Sequence, residues 1–172
     1  MLAYVFFHRP APGVETPVYE AALRRFHNSL TGAPPSGFIG SSTYRIGGGY
    51  ADWYLVESSA ALDHLNEAAV NVARSVHDAV AHMSADGAGK LLALVSGRAG
   101  VESGFEIRFS KPAGVTYPEL YERLKPWTDR AEVTLWRRMM VLGPSPEFCL
   151  TSPSEQILPA AMNPESLSRA PV

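Results

Sequence analysis

Cysteine is almost missing from this 172-residue chain. Cys149 is the single one, which excludes an internal disulfide and a multi-cysteine metal cage and suits a reducing compartment. Long apolar runs are missing as well. No stretch approaches the roughly 20 apolar residues that span a bilayer, and Met1 to Phe7 is too short, with no basic stretch before it, to be a signal-peptide core. A cytoplasmic protein is expected. Nor does one sign of charge dominate: 15 basic residues face 17 acidic ones, a formal charge of -2, so no global field draws the chain to nucleic acid or an anionic membrane. What is present is an ordinary globular balance, 46% hydrophobic and 19% charged, in a length that allows one large domain or two small units.

The pattern along the chain is α+β. Leu2 to His8 reads as a strand broken by Pro10, Pro12 and Gly13, and a helix follows from Thr16-Pro17 through Val18, Ala22, Leu23 and Phe26 to Gly32. Phe38 to Ile46 and Ala51 to Glu57 read as a hairpin around Gly47 to Gly49. Leu62, Leu65, Ala69, Val72, Val76, Val80 and Met83 then share one face of a long helix, with Ser58 or Ser59 as its cap and Gly87 as its end. Gly87-Ala88-Gly89-Lys90 reads as a turn, and Leu91 to Val95 as a buried strand. This β-α-β-β-α-β order is ferredoxin-like.

The order begins again at Phe105 to Phe109. Lys111-Pro112 takes the place of Arg9-Pro10, Pro118, Leu124 and Trp127 echo Pro17, Leu23 and Phe26, and Trp136-Arg137 echoes Tyr44-Arg45. Gly143 stands for the glycine turn, and Phe148, Leu150 and Ser152 follow Tyr54, Val56 and Ser58. A tandem duplication is therefore expected, with a first ferredoxin-like repeat at 1–98, a second, truncated one at 99–153 and a proline-rich C-terminal tail at 154–172. Pro153, Pro159, Pro164 and Pro171 forbid a second long helix, so the tail is expected to be an extended arm with mobile final residues, Ser166 to Val172.

From Leu2 to Ser152 this arrangement resembles the dimeric α+β barrel superfamily in a fused, tandem form. The resemblance implies two sheets meeting face to face with helices outside, an intramolecular version of the barrel. It does not choose an activity, because relatives include cofactor-independent monooxygenases, isomerases and haem-binding chlorite dismutases.

Strand alternation nominates a site. Phe105, Ile107 and Phe109 form an apolar face for the helices, so Glu106 and Arg108 take the other face, and the repeat alignment carries Tyr4, Phe6 and His8 with them. Trp53 and Glu147 are placed on that face of their own strands. The expected roles are proton exchange for His8 and substrate binding for Arg108, Glu106, Tyr4, Trp53 and Glu147, with the arginine suited to an anion and the rings to stacking. Mutual salt bridging of these groups is the competing structural explanation.

Other motifs are weak. His77 and His82 lie roughly 140° apart on a helix, no HExxH or nucleophile elbow is present, and no metal or cofactor is read from the sequence. All five histidines precede residue 83, which disfavours a haem ligand in the second copy. Lys125, Arg130, Arg137 and Arg138 beside Trp127 and Trp136 are expected to pair with Glu132 and Glu147 rather than hold nucleic acid.

The leading expectation is binding of a small aromatic or anionic molecule between the two sheets, with cofactor-independent chemistry left open. The alternatives are a non-catalytic binding or assembly protein and a haem-binding barrel. Sheet edges leave room for a homo-oligomer.

Overall fold

The computed structural model describes residues 1–99, 103–139 and 145–172. The chain is α+β and divides into two compact units, Met1–Leu91 with Pro171–Val172, and Leu92–Ala170.

In the first unit β1 (Leu2–Pro10), α1 (Thr16–Gly32), β2 (Phe38–Ile46) and β3 (Gly49–Val56) fall where the sequence pattern puts them. Then come α2 (Ala61–Glu67), a π-helical turn (Ala68–Val72), α3 (Arg74–Met83) and the start of β4 (Ser84–Ser96). The single long helix expected is thus interrupted, and Ala73 N–H donates to the Ala68 carbonyl five residues back. Ser58 and Ser59 stand at its start but offer backbone carbonyls to Ala61 and Leu62 rather than hydroxyl caps.

The strands of this unit run in the order β4, β1, β3, β2. In register, Tyr4 faces Tyr54, Phe6 faces Asp52 and His8 faces Tyr50, while Thr43 of β2 faces Asp52 from the other side. Directly opposed residues share a face of the sheet. This face is the one the helices cover: Tyr19, Leu23, Phe26 and Leu30 of α1, Leu65 of α2 and Val80 of α3 pack on Tyr50, Tyr54 and Val56, with Tyr4 and Phe6 beside them. Tyr4, Phe6 and His8 therefore lie under the helices, opposite to the expected orientation.

The Gly87 to Lys90 segment is not a turn. The helix stops at Met83, and β4 runs through both glycines. A Cβ at Gly87 would stand 2.6 Å from Phe6 Cζ, and one at Gly89 2.5 Å from the Tyr4 hydroxyl, so two rings of β1 occupy the space side chains would need. Glycine inside a strand marks such a close approach. Local composition reads as a turn because the rings that make it a strand are remote in sequence.

The second unit contains β5 (Gly104–Phe109), α4 (Tyr117–Thr128), β6 (Thr134–Arg138), β7 (Phe148–Ser152), a 3-10 turn (Ala160–Met162) and β8 (Glu165–Pro171), which ends in the first unit. Its strand order is β8, β5, β7, β6, β4. The expected glycine turn at Gly143 lies outside the described residues. α4 opens on a reciprocal capping box, Thr116 with Glu119, and Pro118 sits in its first turn. Ile107 and Phe109 pack on Leu120 and Leu124, as the alternation predicts.

The tail departs from the mobile arm expected. Leu158 and Met162 are buried in the second core, each burial contributing on the order of 2 kcal/mol. β8 pairs with β5 from Gly104↔Arg169 to Arg108↔Glu165, and Val172 N–H donates to the Thr43 carbonyl at 3.0 Å. The prolines do exclude a helix, but β5 offers a row of backbone donors and acceptors that the tail satisfies.

Candidate functional site

The first unit holds a cleft between its sheet and its helices. It has two adjoining lobes of about 350 Å³ each, both bordered by Phe6, Phe26, Tyr54 and His77. One lobe extends to Tyr4 on the sheet, to Leu62, Leu65 and Asn66 on α2, and to Ala69 and Val70 on the π-helical turn. The other reaches Asp52 on the sheet, Val80 and Ala81 on α3, and Ser84 to Gly87 at the start of β4. The aromatic lining follows from β1 and β3, whose even-numbered residues point to the helices. The π-helical turn contributes small side chains where a regular helix would present a different face, and such turns recur at functional sites.

Asp52 forms the polar floor. It is 3% exposed. Its Oδ1 accepts from the Thr43 hydroxyl at 2.6 Å and lies 3.3 Å from His27 Nε2, while Oδ2 accepts from the Tyr54 hydroxyl at 3.2 Å and lies 3.2 Å from His8 Nε2. Burial works to raise its pKa, yet the His27 and His8 contacts outweigh burial and hold the carboxyl below the usual carboxylate range. The carboxylate is kept ionised although it is buried.

Further hydrogen bonds fix these partners. His8 Nδ1 lies 2.5 Å from the Tyr19 hydroxyl, which is 2.8 Å from Ser84 Oγ, and the Ser84 hydroxyl in turn donates to the Val80 carbonyl. His27 Nδ1 is 2.7 Å from Ser41 Oγ. Burial pushes the Tyr19 phenol up to about 12 against the opposing Ser84 hydrogen bond, and burial followed by the Asp52 charge raises Tyr54 well above its ordinary value. Both phenols therefore remain protonated donors. The chain Asp52, His8, Tyr19, Ser84 starts and ends on the cleft wall.

The residues nominated from sequence are divided by the structure. Tyr4 lines the cleft. His8 is 3% exposed, with Tyr19 and Asp52 against its two ring nitrogens, so it is joined to the cleft through those partners. Trp53 is buried on the opposite face of β3, next in sequence to Asp52 and Tyr54. In the second unit Arg108 Nε donates to Glu106 Oε1 at 2.7 Å, with Arg169 3.7 Å from the other carboxylate oxygen, so these groups answer one another. Glu147 is half-buried before β7, and its carbonyl accepts from Arg138 N–H at 2.7 Å.

Three of the basic side chains have partners besides Glu132 and Glu147. Arg137 stacks on Tyr117 at 5.2 Å and donates to the Tyr121 hydroxyl, Arg130 donates to Gln156, and Lys125 pairs with Glu122.

Asp52, His27, Tyr19 and Phe26 were not singled out by sequence reasoning. A signal was there: Asp52 is a lone acid among Tyr50, Ala51, Trp53, Tyr54 and Leu55, a strand whose other residues read as buried. A charge in such a run is rare without a purpose.

No family model matches the chain, and no curated protein matches it by sequence. Among solved structures, one named "Putative Chlorite dismutase" is similar over 99% of this chain and 94% of its own length, with a TM-score of 0.60 at 12% identity. The likeness is one of fold: the chain shares the α+β architecture of that protein.

Haem, one of the alternatives that the resemblance to dimeric α+β barrels left open, can be tested against the cleft. His77 borders both lobes, and its Nδ1 lies 3.3 Å from Asp78 Oδ1, the orientation expected behind a metal-ligating histidine. Haem propionates, however, call for cations. Among the described residues lining the two lobes there is no Lys or Arg, and two are carboxylates, Asp52 and Asp86. The donor set does not fit haem.

Proposed function

We propose that the chain is a small-molecule-binding protein whose ligand, apolar or aromatic in its body, occupies the cleft between the sheet and helices of the first unit. The observation that carries this reading is the cleft itself: four aromatic side chains beside a buried carboxylate, Asp52, that is held by Thr43, Tyr54, His8 and His27. A largely apolar cavity with a few convergent polar groups is the usual form of a ligand site.

In this reading the chain is a fused pair of ferredoxin-like repeats, 1–98 and 99–153, followed by the 154–172 segment. The order β-α-β-β-α-β up to Ser96 and β-α-β-β from Gly104 supports it. The second repeat supplies scaffold and the first supplies the site. His8, set against Asp52 and joined through Tyr19 to Ser84, acts as a positioning residue for the carboxylate.

The test is ligand-observed NMR with a panel of aromatic fragments on the whole chain, repeated on Ala69→Phe, which fills one lobe. Binding in the parent chain that disappears in Ala69→Phe, with the far-ultraviolet circular dichroism unchanged, is the expected result. Equal binding by both proteins places the site elsewhere. A haem Soret band that is lost in His77→Ala would reverse the haem assignment.

A further inference from the structure

The described residues include three buried carboxylates, and two of them have a guanidinium partner. Glu20 is gripped by Arg45, Nε to Oε1 at 2.5 Å, with the Tyr50 hydroxyl adding a hydrogen bond. Glu106 has Arg108 at 2.7 Å and Arg169 at 3.7 Å. Asp52 has no guanidinium, and its cationic partners are the titratable rings of His8 and His27. Its partners are two hydroxyls and two imidazoles, none a permanent cation, although it is as deeply buried as Glu20. Buried charges are normally matched by an opposite charge, because a carboxylate withdrawn from water is costly to leave without one.

The cleft beside Asp52 offers room for a cation as well. Phe6, Phe26 and Tyr54 line both lobes and Tyr4 the outer one, and aromatic rings attract ammonium groups through their quadrupoles. The Tyr4 and Tyr54 rings stand 6.1 Å apart and Phe26 meets Tyr54 at 65°, so the walls are set at different angles around the space. A second carboxylate, Asp86, borders the Asp52 lobe. Its backbone is left-handed, φ 55°, inside a strand, and strained positions of this kind gather at ligand clamps. No Lys or Arg is among the described lining residues, so an anionic ligand would meet two carboxylates and no counter-charge.

From this we infer that the cleft binds an organic cation, a protonated amine or quaternary ammonium carried on an aromatic or apolar body. The inference rests on the cleft being the ligand site. It replaces the anionic option with its opposite: the charged head lies against Asp52 and Asp86, and the body lies between the rings of the outer lobe.

Three isosteric indoles test it: tryptamine, the neutral alcohol tryptophol, and indole-3-acetate, titrated by calorimetry at neutral pH. Tryptamine should bind at least about tenfold more tightly than tryptophol, with indole-3-acetate weakest. Asp52→Asn, which keeps the shape of the floor, should bring tryptamine and tryptophol to near-equal affinity. Should Asp52→Asn unfold, Asp86→Asn is the second variant, and it should reduce the tryptamine preference without abolishing tryptophol binding. Equal affinity of the parent chain for all three, lost in Ala69→Phe, overturns the cation and leaves the cleft reading standing. Absence of binding by all three at their solubility limit removes both.

Discussion

The two units cover a sheet with a helix in the same way and then fill the layer differently. In the second, Ile107, Phe109, Leu120, Leu124, Leu135, Phe148 and Leu150 meet in an apolar core that the tail extends with Leu158 and Met162. In the first, the matching layer carries Asp52, His8, His27 and Tyr19, and the α2–α3 segment stands over it with a cleft beneath. By register the position of Leu150, opposite Ile107 in the second unit, is taken by Asp52, opposite Phe6 in the first, and Phe148 corresponds to Tyr50. The lesson is that one layer is packed for stability, whereas the other gives up apolar packing for an ionised group beside an open space.

The largest test of that contrast is Asp52→Ala, which strands two histidines and two hydroxyls. It should cost about 3–5 kcal/mol in urea unfolding. A loss below about 1 kcal/mol would show the network to be slack. The same residue sets an acid dependence. Its pKa is lower in the folded chain than the unfolded value of about 3.9, so the folded state binds fewer protons in the interval between them. Its stabilisation is complete above about pH 5 and is lost as pH falls through the folded value. Asp52→Asn should flatten the fall in unfolding midpoint between about pH 5 and pH 3, leaving the part due to Glu20, whose carboxyl Arg45 also holds low.

Leucine truncation sharpens the comparison next. Leu124→Ala opens a void in a filled core and should cost about 2–5 kcal/mol, while Leu65→Ala, already bordering the cleft, should sit at the lower end of that range. Equal losses would mean that the cleft closes around Leu65. Enlargement should reverse the ranking: Ile107→Phe overpacks the second core by about 1–3 kcal/mol, whereas Ala69→Leu enters existing space at smaller cost. The smallest effect expected is Thr116→Ala at the capping box of α4, about 1 kcal/mol by thermal unfolding.

Much of the element order was legible in the sequence because it depends on local signals. Pro17 and Pro118 mark the first turns of α1 and α4, and the apolar periodicity that follows each marks its buried face. The faces of β1 were not legible, for a specific reason. Aligning Arg9-Pro10 with Lys111-Pro112 pairs Tyr4 with Glu106, a spacing of 102 residues, whereas the helices align at 101, Pro17 with Pro118. The helix-covered faces of β1 and β5 obey the helix spacing, with Tyr4 matching Phe105, Phe6 matching Ile107 and His8 matching Phe109. One residue of slip in a strand sends every side chain to the other face. That slip directed attention to Glu106 and Arg108 and away from Asp52.

The sequence by itself determined the α+β order, the helix at 117–128, the apolar face of β5 and the exclusion of a second long helix by the tail prolines. These follow from backbone preference and periodicity, which act within a few residues. Tertiary structure alone decided that Gly87 and Gly89 lie in a strand under the rings of Phe6 and Tyr4, and that the tail becomes β8. It also decided that Asp52, beside its strand neighbour Tyr54, gathers partners from three other elements, Thr43 of β2, His8 of β1 and His27 of α1. Partners of that kind are chosen by register across strands and by the helix laid over them, and neither is written in the neighbours of the residue concerned.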